Sequence, residues 1–178
     1  MSVRAATASG AALVWGREAQ GQNTVPAAAG TGVTAVAAGS RHSLALKNGA
    51  VLAWGLNDYQ QTAVPAIAGS GVRAVAAGEF HSLALRAGVA LAWGDNSKKQ
   101  CSVPAAATAG VIAIAAGQFH NLAVTISGST GSVVAWGDNS KGQTTVPAAA
   151  SSGVTAVAAG YGHSLAVKGG AVLAWGDN

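Results

Sequence analysis

The sequence predicts an all-β fold, a β-propeller built from about four small blades. One motif recurs through most of the 178 residues, and three kinds of side chain mark its period. Successive histidines are 39, 39 and 43 residues apart, and the tryptophans and prolines keep the same spacing. A period near 40 residues is typical of stacked or radial repeats, whose units bury their apolar faces against one another.

Glycine spacing and residue choice favour strands over helices. Alanine has the highest helix propensity, but glycines interrupt every unit and β-branched residues fill the apolar positions. In the first unit we predict strands at 33–38, 42–46 and 50–54, the last two joined by an Asn48-Gly49 hairpin. Gln61–Pro65 is predicted as a weak outer strand at an edge, because proline cannot donate to a ladder. Three good strands and one weak strand suit a propeller blade.

The chain is predicted to form a single repeat domain over residues 1–178. Its four repeat units of 39–43 residues are 17–57, 58–96, 97–139 and 140–178. The third unit has four extra residues at its hairpin, where we expect a surface loop. Residues 1–16 are interpreted as a degenerate partial blade or a latch strand. Within them Ser2–Ala8 looks like a worn first strand and Ala11–Trp15 like a third strand.

Four blades closing alone would leave wide gaps, because their faces carry small residues such as Ala35, Ala45 and Ala53. An open row would leave two apolar faces in water and forgo on the order of 10 kcal/mol of burial per face. We therefore predict that a second chain completes the ring as a head-to-tail homodimer. One alternative to the homodimer is a natural or engineered fragment of a longer array. A self-assembling structural ring with no ligand is the alternative to a binding function.

The repeated frame is Ala-Ala-Gly-x-x-His-Ser-Leu-Ala-Leu-x-x-Gly-x-Val-x-Ala-Trp-Gly-x-Asn-x-x-x-Gln-x-x-Val-Pro. Over about residues 11–178 it resembles the regulator-of-chromosome-condensation repeat superfamily. The short period and the element Gln143–Ala148 are most similar to the bacterial β-lactamase inhibitor protein II type of propeller. This resemblance implies a closed propeller that grips a protein through aromatic and acidic residues on one rim.

Two loops of each blade share that rim if the strands alternate in direction: the Gly-x-x-His turn and the Trp-Gly-Asp-Asn loop. The resemblance implies partner contacts from Arg41, Glu79, Phe80, Gln118, Phe119, Tyr161, Tyr59, Asp95 and Asp138. Packing does not dictate an aromatic in the turn that contains Phe80, Phe119 or Tyr161, because the same turn of the first unit contains Arg41. Exposed aromatics are frequent in binding hot spots. The predicted function is a non-enzymatic protein-interaction module, with a β-lactamase-inhibitor-like binder as an alternative.

The histidines and tryptophans that recur in every unit are interpreted as structural. Each histidine follows a glycine turn, where its ring can hydrogen-bond a neighbouring backbone group. Metal binding would need ligands within about 2.1 Å of one ion, so we predict no metal site and no cofactor. The tryptophans are predicted to be wedges between blades with bonded indole N–H groups. These residues are His42, His81, His120, His163, Trp54, Trp93, Trp136 and Trp175.

Other classes of function have little support in the sequence. Asp95 and Asp138 are single carboxylates in Asp-Asn turns, and the paired carboxylates of a glycosidase do not recur at one site. The net charge of +4 is scattered, whereas nucleic-acid binders cluster it. We expect no membrane span and no signal peptide, and the compartment stays unassigned. Cys101 is the one cysteine and is interpreted as an unreactive substitution.

Overall fold

A computed structural model describes residues 10–16, 18–128 and 130–178. The predicted strand Ser2–Ala8 lies outside the described residues. In the part that is described, twelve strands form four antiparallel sheets, each with three consecutive strands in chain order. We call these sheets blades 1 to 4. Their strands are β1 Val33–Ala38, β2 His42–Lys47, β3 Ala50–Gly55; β4 Val72–Ala77, β5 His81–Arg86, β6 Val89–Gly94; β7 Val111–Ala116, β8 His120–Ser127, β9 Thr130–Gly137; β10 Val154–Ala159, β11 His163–Lys168 and β12 Ala171–Gly176.

The predicted hairpins form where the sequence places them. Asn48 and Gly49 have φ angles of 51° and 76°, a left-handed pair that asparagine and glycine tolerate. The four extra residues of the third unit differ from the expected loop. They extend both strands of the hairpin, so that β8 and β9 have eight residues each. Extension outward along an existing ladder adds paired backbone groups, which a loop of the same length would leave to solvent.

The predicted outer strand at Gln61–Pro65 is wrong. This segment is a turn followed by a short 3-10 helix, and the described sheets have three strands. The backbone is satisfied in other ways: Val64 N–H donates to Thr62 and Ala68 N–H to Pro65. A ladder is therefore not required to pair these groups. The four 3-10 helices are Ala27–Ala29, Ala66–Gly69, Ala105–Ala107 and Ala148–Ser151, and no helix in the described ranges could cross a membrane.

Each blade buries its apolar faces against its neighbours. We call the face turned toward the following blade the forward face and the opposite one the back face. Leu44, Leu46 and Val51 on the forward face of blade 1 pack against Ala84 and Trp93 on the back face of blade 2. The same positions repeat between blades 2 and 3 and between blades 3 and 4. The four blades form an incomplete ring, consistent with completion by a second chain.

The open end at blade 4 shows what such packing normally covers. Val172 on its forward face is 65% exposed, whereas the equivalent Val51 is 6% exposed. His163 is exposed as well, although His42 is buried. The forward face of blade 4 is therefore an apolar interface without a neighbour in this structure.

At the other end, residues 10–16 lie against the back of blade 1. Gly10 forms a single antiparallel bridge with Val33, so the predicted strand Ala11–Trp15 is not a sheet strand. Buried and exposed side chains nevertheless alternate along this segment as they do along a strand. Ala12 is buried against blade 1, while Leu13 and Trp15 are 80% and 86% exposed.

Candidate functional site: the rim of the blades

The Gly-x-x-His turns and the Trp-Gly loops meet at one end of each blade. In every blade, the residue after Trp-Gly donates its N–H to the carbonyl just before the histidine, at 2.8–2.9 Å. The four bonds are Leu56 to Arg41, Asp95 to Phe80, Asp138 to Phe119 and Asp177 to Gly162. These bonds bring the two variable loops onto the same rim.

Three of the aromatic residues singled out in the sequence form a row across this rim. The ring centroids of Tyr59 and Phe80 are 5.0 Å apart, and those of Phe80 and Phe119 are 6.5 Å apart. Tyr59 is exposed, and the two phenylalanines are half-buried. We call Tyr59, Phe80 and Phe119 the aromatic row. It crosses blades 1, 2 and 3, so one ligand could contact several blades at once.

A cleft of about 340 Å³ lies beside the row, where the glycine turns converge. Its polar wall contains Glu79 and Gln118, and the Gln118 side-chain amide donates to the Glu79 carboxylate. The backbone joins the turns too, since Glu79 N–H donates to Gln118 and Gln118 N–H to Tyr161. These bonds hold the turns of blades 2, 3 and 4 in register and give the cleft a carboxylate on one wall.

Tyr161 and Arg41 are also exposed on the rim. Tyr161 is 72% exposed and lines the cleft, and it also borders a smaller pocket of about 90 Å³ with Phe119 and Lys141. The Lys141 ammonium lies 3.7 Å from the Asp177 carboxylate. Arg41 is exposed on the first turn. Tyr161 therefore borders both the cleft and the Phe119 end of the aromatic row, whereas Arg41 lines neither of these two pockets.

Asp95 and Asp138 hold their own loops together. Asp95 accepts hydrogen bonds from Ser97 and from the Gln100 side chain, and Asp138 accepts the equivalent pair from Ser140 and Gln143. Partial burial raises the pKa of Asp138, but the bonds from Ser140 and Gln143 outweigh it and lower the pKa overall. Both carboxylates stabilise the rim loops, as the turn interpretation of the sequence implies.

The histidines link neighbouring blades through side chains, not through the backbone group that we expected. His42 Nε2 lies 3.0 Å from Ser82 Oγ in the next blade, and His81 Nε2 lies 2.7 Å from Asn121 Oδ1. His120 makes the same contact with Ser164. Because Asn121 Oδ1 can only accept, His81 Nε2 must carry the proton. The partner of each histidine is at least 40 residues ahead in the chain, so local sequence could not identify it.

Burial keeps these rings neutral. It lowers the pKa of His42 to about 4, with a smaller contribution from the charge of His81, and it lowers the pKa of His120 to about 4. The pKa of His81 is lowered for the same main reason. No three potential metal ligands cluster anywhere in the described ranges. The three buried histidines act as uncharged links between blades.

A recurring glutamine, to which we assigned no role, completes this network. The Gln61 carbonyl accepts from Trp93 Nε1 at 2.9 Å and from Ser82 Oγ at 2.8 Å, and Ser82 in turn contacts His42. The bonded indole agrees with our expectation for the tryptophans. Gln22, Gln100 and Gln143 repeat the arrangement, and Trp54, Trp136 and Trp175 donate to them. The constant spacing of Gln-x-x-Val-Pro in the sequence was the available signal.

Cys101 is half-buried in the loop after blade 2. Its thiol lies 3.0 Å from the Asp95 carbonyl, and burial, aided by the Asp95 charge, raises its pKa to about 12. A thiol with so little thiolate is a poor nucleophile. This agrees with the interpretation of Cys101 as unreactive.

Comparison with known families supports the regulator-of-chromosome-condensation superfamily. The family described as Regulator of chromosome condensation (RCC1) repeat matches residues 33–61 and 111–143. No curated protein matches the sequence. The likeness to the β-lactamase inhibitor protein II type is not shown by these comparisons.

Solved structures share the propeller fold. Yeast RCC1 (Prp20) bound to Kap60 matches with a TM-score of 0.64 and 23% identity, over 81% of this chain and 43% of that one. Prp20p from Saccharomyces cerevisiae, described with its binding to Gsp1p and histones, matches at 0.65 and 24%, over 81% and 45%. The receptor kinase CR4 ectodomain from Physcomitrella patens matches at 0.70 and 25%, over 91% and 46%. The chain spans less than half the length of each of these proteins.

Proposed function

We propose that this chain is a protein-binding propeller module whose partner docks on the aromatic row and the adjoining cleft. The aromatic row is the observation that carries this proposal. Three rings from different loops lie next to one another on the rim. Contiguous aromatics are enriched at the centres of protein interfaces. Glu79 would favour a basic or hydrogen-bond-donating group at the cleft.

Binding suits the rim better than catalysis does. The carboxylates Asp95 and Asp138 are occupied by bonds to their own loops, and the three buried histidines are held neutral between blades. The similar yeast structures are of a propeller bound to Kap60 and of one described with Gsp1p and histone binding. A β-lactamase-inhibitor-like partner is a second candidate, supported by the short repeat and the aromatic rim.

Alanine substitution of the aromatic row tests this function. The immobilised chain is used to isolate binding proteins, and each purified protein is then titrated by calorimetry. A β-lactamase is included as a defined probe. We expect Phe80→Ala and Phe119→Ala each to weaken binding at least about tenfold, as hot-spot truncations do. Ile67→Ala, an exposed apolar residue on a 3-10 helix, is the matched control. Equal effects of all three substitutions would refute the proposal.

We further propose that two copies associate head to tail, so that blade 4 of one chain packs on blade 1 of the other. The forward face of blade 4 has the residues that the other forward faces bury, with Leu165 and Val172 in the places of Leu44 and Val51. His163 would then face the partner's Ser43, as His42 faces Ser82. Ser43 already donates to the Gln22 carbonyl, so its oxygen can accept.

The solution mass measures this association directly. Light scattering at micromolar concentration should give twice the mass of one chain. Leu165→Asp, on the forward face of blade 4, should give the mass of one chain, whereas Ile112→Asp on an exposed strand position should not. A single-chain mass for the unmodified protein would refute the association.

A further inference from the structure

We propose that this association exchanges a strand: residues 10–16 of one chain become the third strand of the other chain's blade 4, and β12 is released. The inference rests on the proposed head-to-tail association. It assigns a role to residues 10–16, for which neither the proposed rim function nor the packing within blades accounts.

Residues 10–16 already occupy the position of a third strand relative to blade 1. Gly10 and Val33 exchange backbone bonds of 3.2 and 2.9 Å, and Val72 N–H likewise donates to Gly49, just before β3, at 2.9 Å. Ala12 and Val14 pack on the back face of blade 1 as Val51 packs on blade 2. The segment therefore lies where the last strand of a preceding blade would lie.

The sequence of the segment matches that of β12. Residues 11–16 read Ala-Ala-Leu-Val-Trp-Gly, and residues 171–176 read Ala-Val-Leu-Ala-Trp-Gly. The leucine and tryptophan of β12 pack against blade 3. The corresponding Leu13 and Trp15 are almost fully exposed. The side of residues 10–16 that carries Leu13 and Trp15 is therefore apolar, but no described blade packs against it.

The two strands compete for one position when the ends meet. Packing of blade 4 on the partner's blade 1 would place Val172 and Ala174 where the partner's own Ala12 and Val14 lie. One of the two strands must leave. The ladder with β11 uses backbone groups, and Trp15 is at the position of Trp175, which donates to the Gln143 carbonyl. Either strand can therefore complete blade 4.

Local structure favours the release of β12. Residues 10–16 keep their bonds to blade 1, and Gly16 O also accepts from the Asn23 side chain at 2.8 Å. The hairpin before β12 contains Gly169 and Gly170, with φ angles of 56° and 82°. The equivalent position to Gly169 is Asn48 in blade 1 and Ala87 in blade 2. Two adjacent glycines give this hairpin the greatest freedom to rotate its third strand away.

Paired aspartate substitutions distinguish the exchanged ring from an unexchanged one. In the exchanged ring Leu13 is buried against the partner, and Leu173 is released with β12. We therefore expect Leu13→Asp to raise the dimer dissociation constant at least tenfold. Leu173→Asp, the matched control, should leave it unchanged or lower it. The opposite order, with Leu173→Asp harmful and Leu13→Asp neutral, would overturn the exchange while leaving the association intact.

A disulfide trap is a second test that uses the whole chain. In blade 4, Leu165 lies opposite Ala174, whose place Val14 would take. With Cys101→Ala as background, Val14→Cys combined with Leu165→Cys should give covalent dimers under mild oxidation. Ala53→Cys with Leu165→Cys is the control, because Ala53 stays opposite Leu44. A dimeric mass without this crosslink would overturn the exchange, and a single-chain mass would overturn the exchange together with the association.

Discussion

Acid should destabilise this protein through its buried histidines. In the unfolded chain a histidine has a pKa near 6.5, whereas burial lowers the pKa of His42 and His120 to about 4 in the folded chain. Above pH 6.5 both states are neutral and no stability is lost. As the pH falls from 6.5 towards 4, only the unfolded chain takes up the protons, so unfolding is favoured.

The size of these histidine pKa shifts determines how much stability is lost in acid. At pH 5 each of these two histidines should lower the free energy of unfolding by about 2 kcal/mol, and His81 adds to the loss in the same direction. The assay is urea unfolding followed by tryptophan fluorescence at pH 7.5, 6 and 5. His42→Gln and His120→Gln retain a side-chain N–H donor but do not titrate.

The variants His42→Gln and His120→Gln are two independent tests of this acid effect. Each should reduce the stability lost between pH 7.5 and 5 by about 2 kcal/mol, and the double variant by about 4 kcal/mol. Comparing pH values within one variant removes the cost of losing the ring itself. A loss of stability that is the same in the wild type and the double variant would refute the role of these histidines.

Three further predictions concern individual positions. Gly78→Ala should cost about 1–3 kcal/mol in urea unfolding, because its Cβ would lie 2.7 Å from a carbonyl oxygen of blade 3 and against an imidazole. Gly69→Ala, with open space around it, should be nearly neutral. Trp93→Phe should cost about 1 kcal/mol by the same assay, since the Gln61 carbonyl loses one of its two donors; no change would contradict the bond. Cys101 should react with iodoacetamide at pH 8 about a thousandfold more slowly than the same thiol in the urea-unfolded chain, because burial raises its pKa to about 12. Similar rates in the folded and unfolded chains would show that the thiol is accessible and ionised.

The strands and hairpins could be predicted from sequence because their signals are local. Asn48-Gly49 specifies the turn through the φ angles that these two residues tolerate, and the strand pairing follows from it. The prediction of an outer strand at Gln61–Pro65 was wrong because of contacts with residues distant in the sequence. The Gln61 carbonyl is used by Trp93 and Ser82 of the next blade, so it is not available to a sheet ladder.

Only part of the candidate site could be predicted from the sequence. Repeat alignment placed Phe80 and Phe119 at equivalent turns, and the structure brings their rings together. It could not show that Tyr59, from the other class of loop, lies beside Phe80, because that contact depends on how two blades pack. The bond between Asp95 and Gln100 in the same loop could not be predicted either, because it depends on the folded conformation of that loop.

The uniform bonding between blades has a consequence for how such chains can change in length. Every described junction uses the same four elements, a histidine, a serine or asparagine, a glutamine carbonyl and an indole. Duplication or loss of one complete unit would regenerate that junction without any new contact, since each unit touches only its neighbours. Insertions within a unit are tolerated at the outer hairpin, as in β8 and β9, because that tip is away from the linking residues. Evolution of this protein can therefore proceed by whole repeats with little adjustment elsewhere.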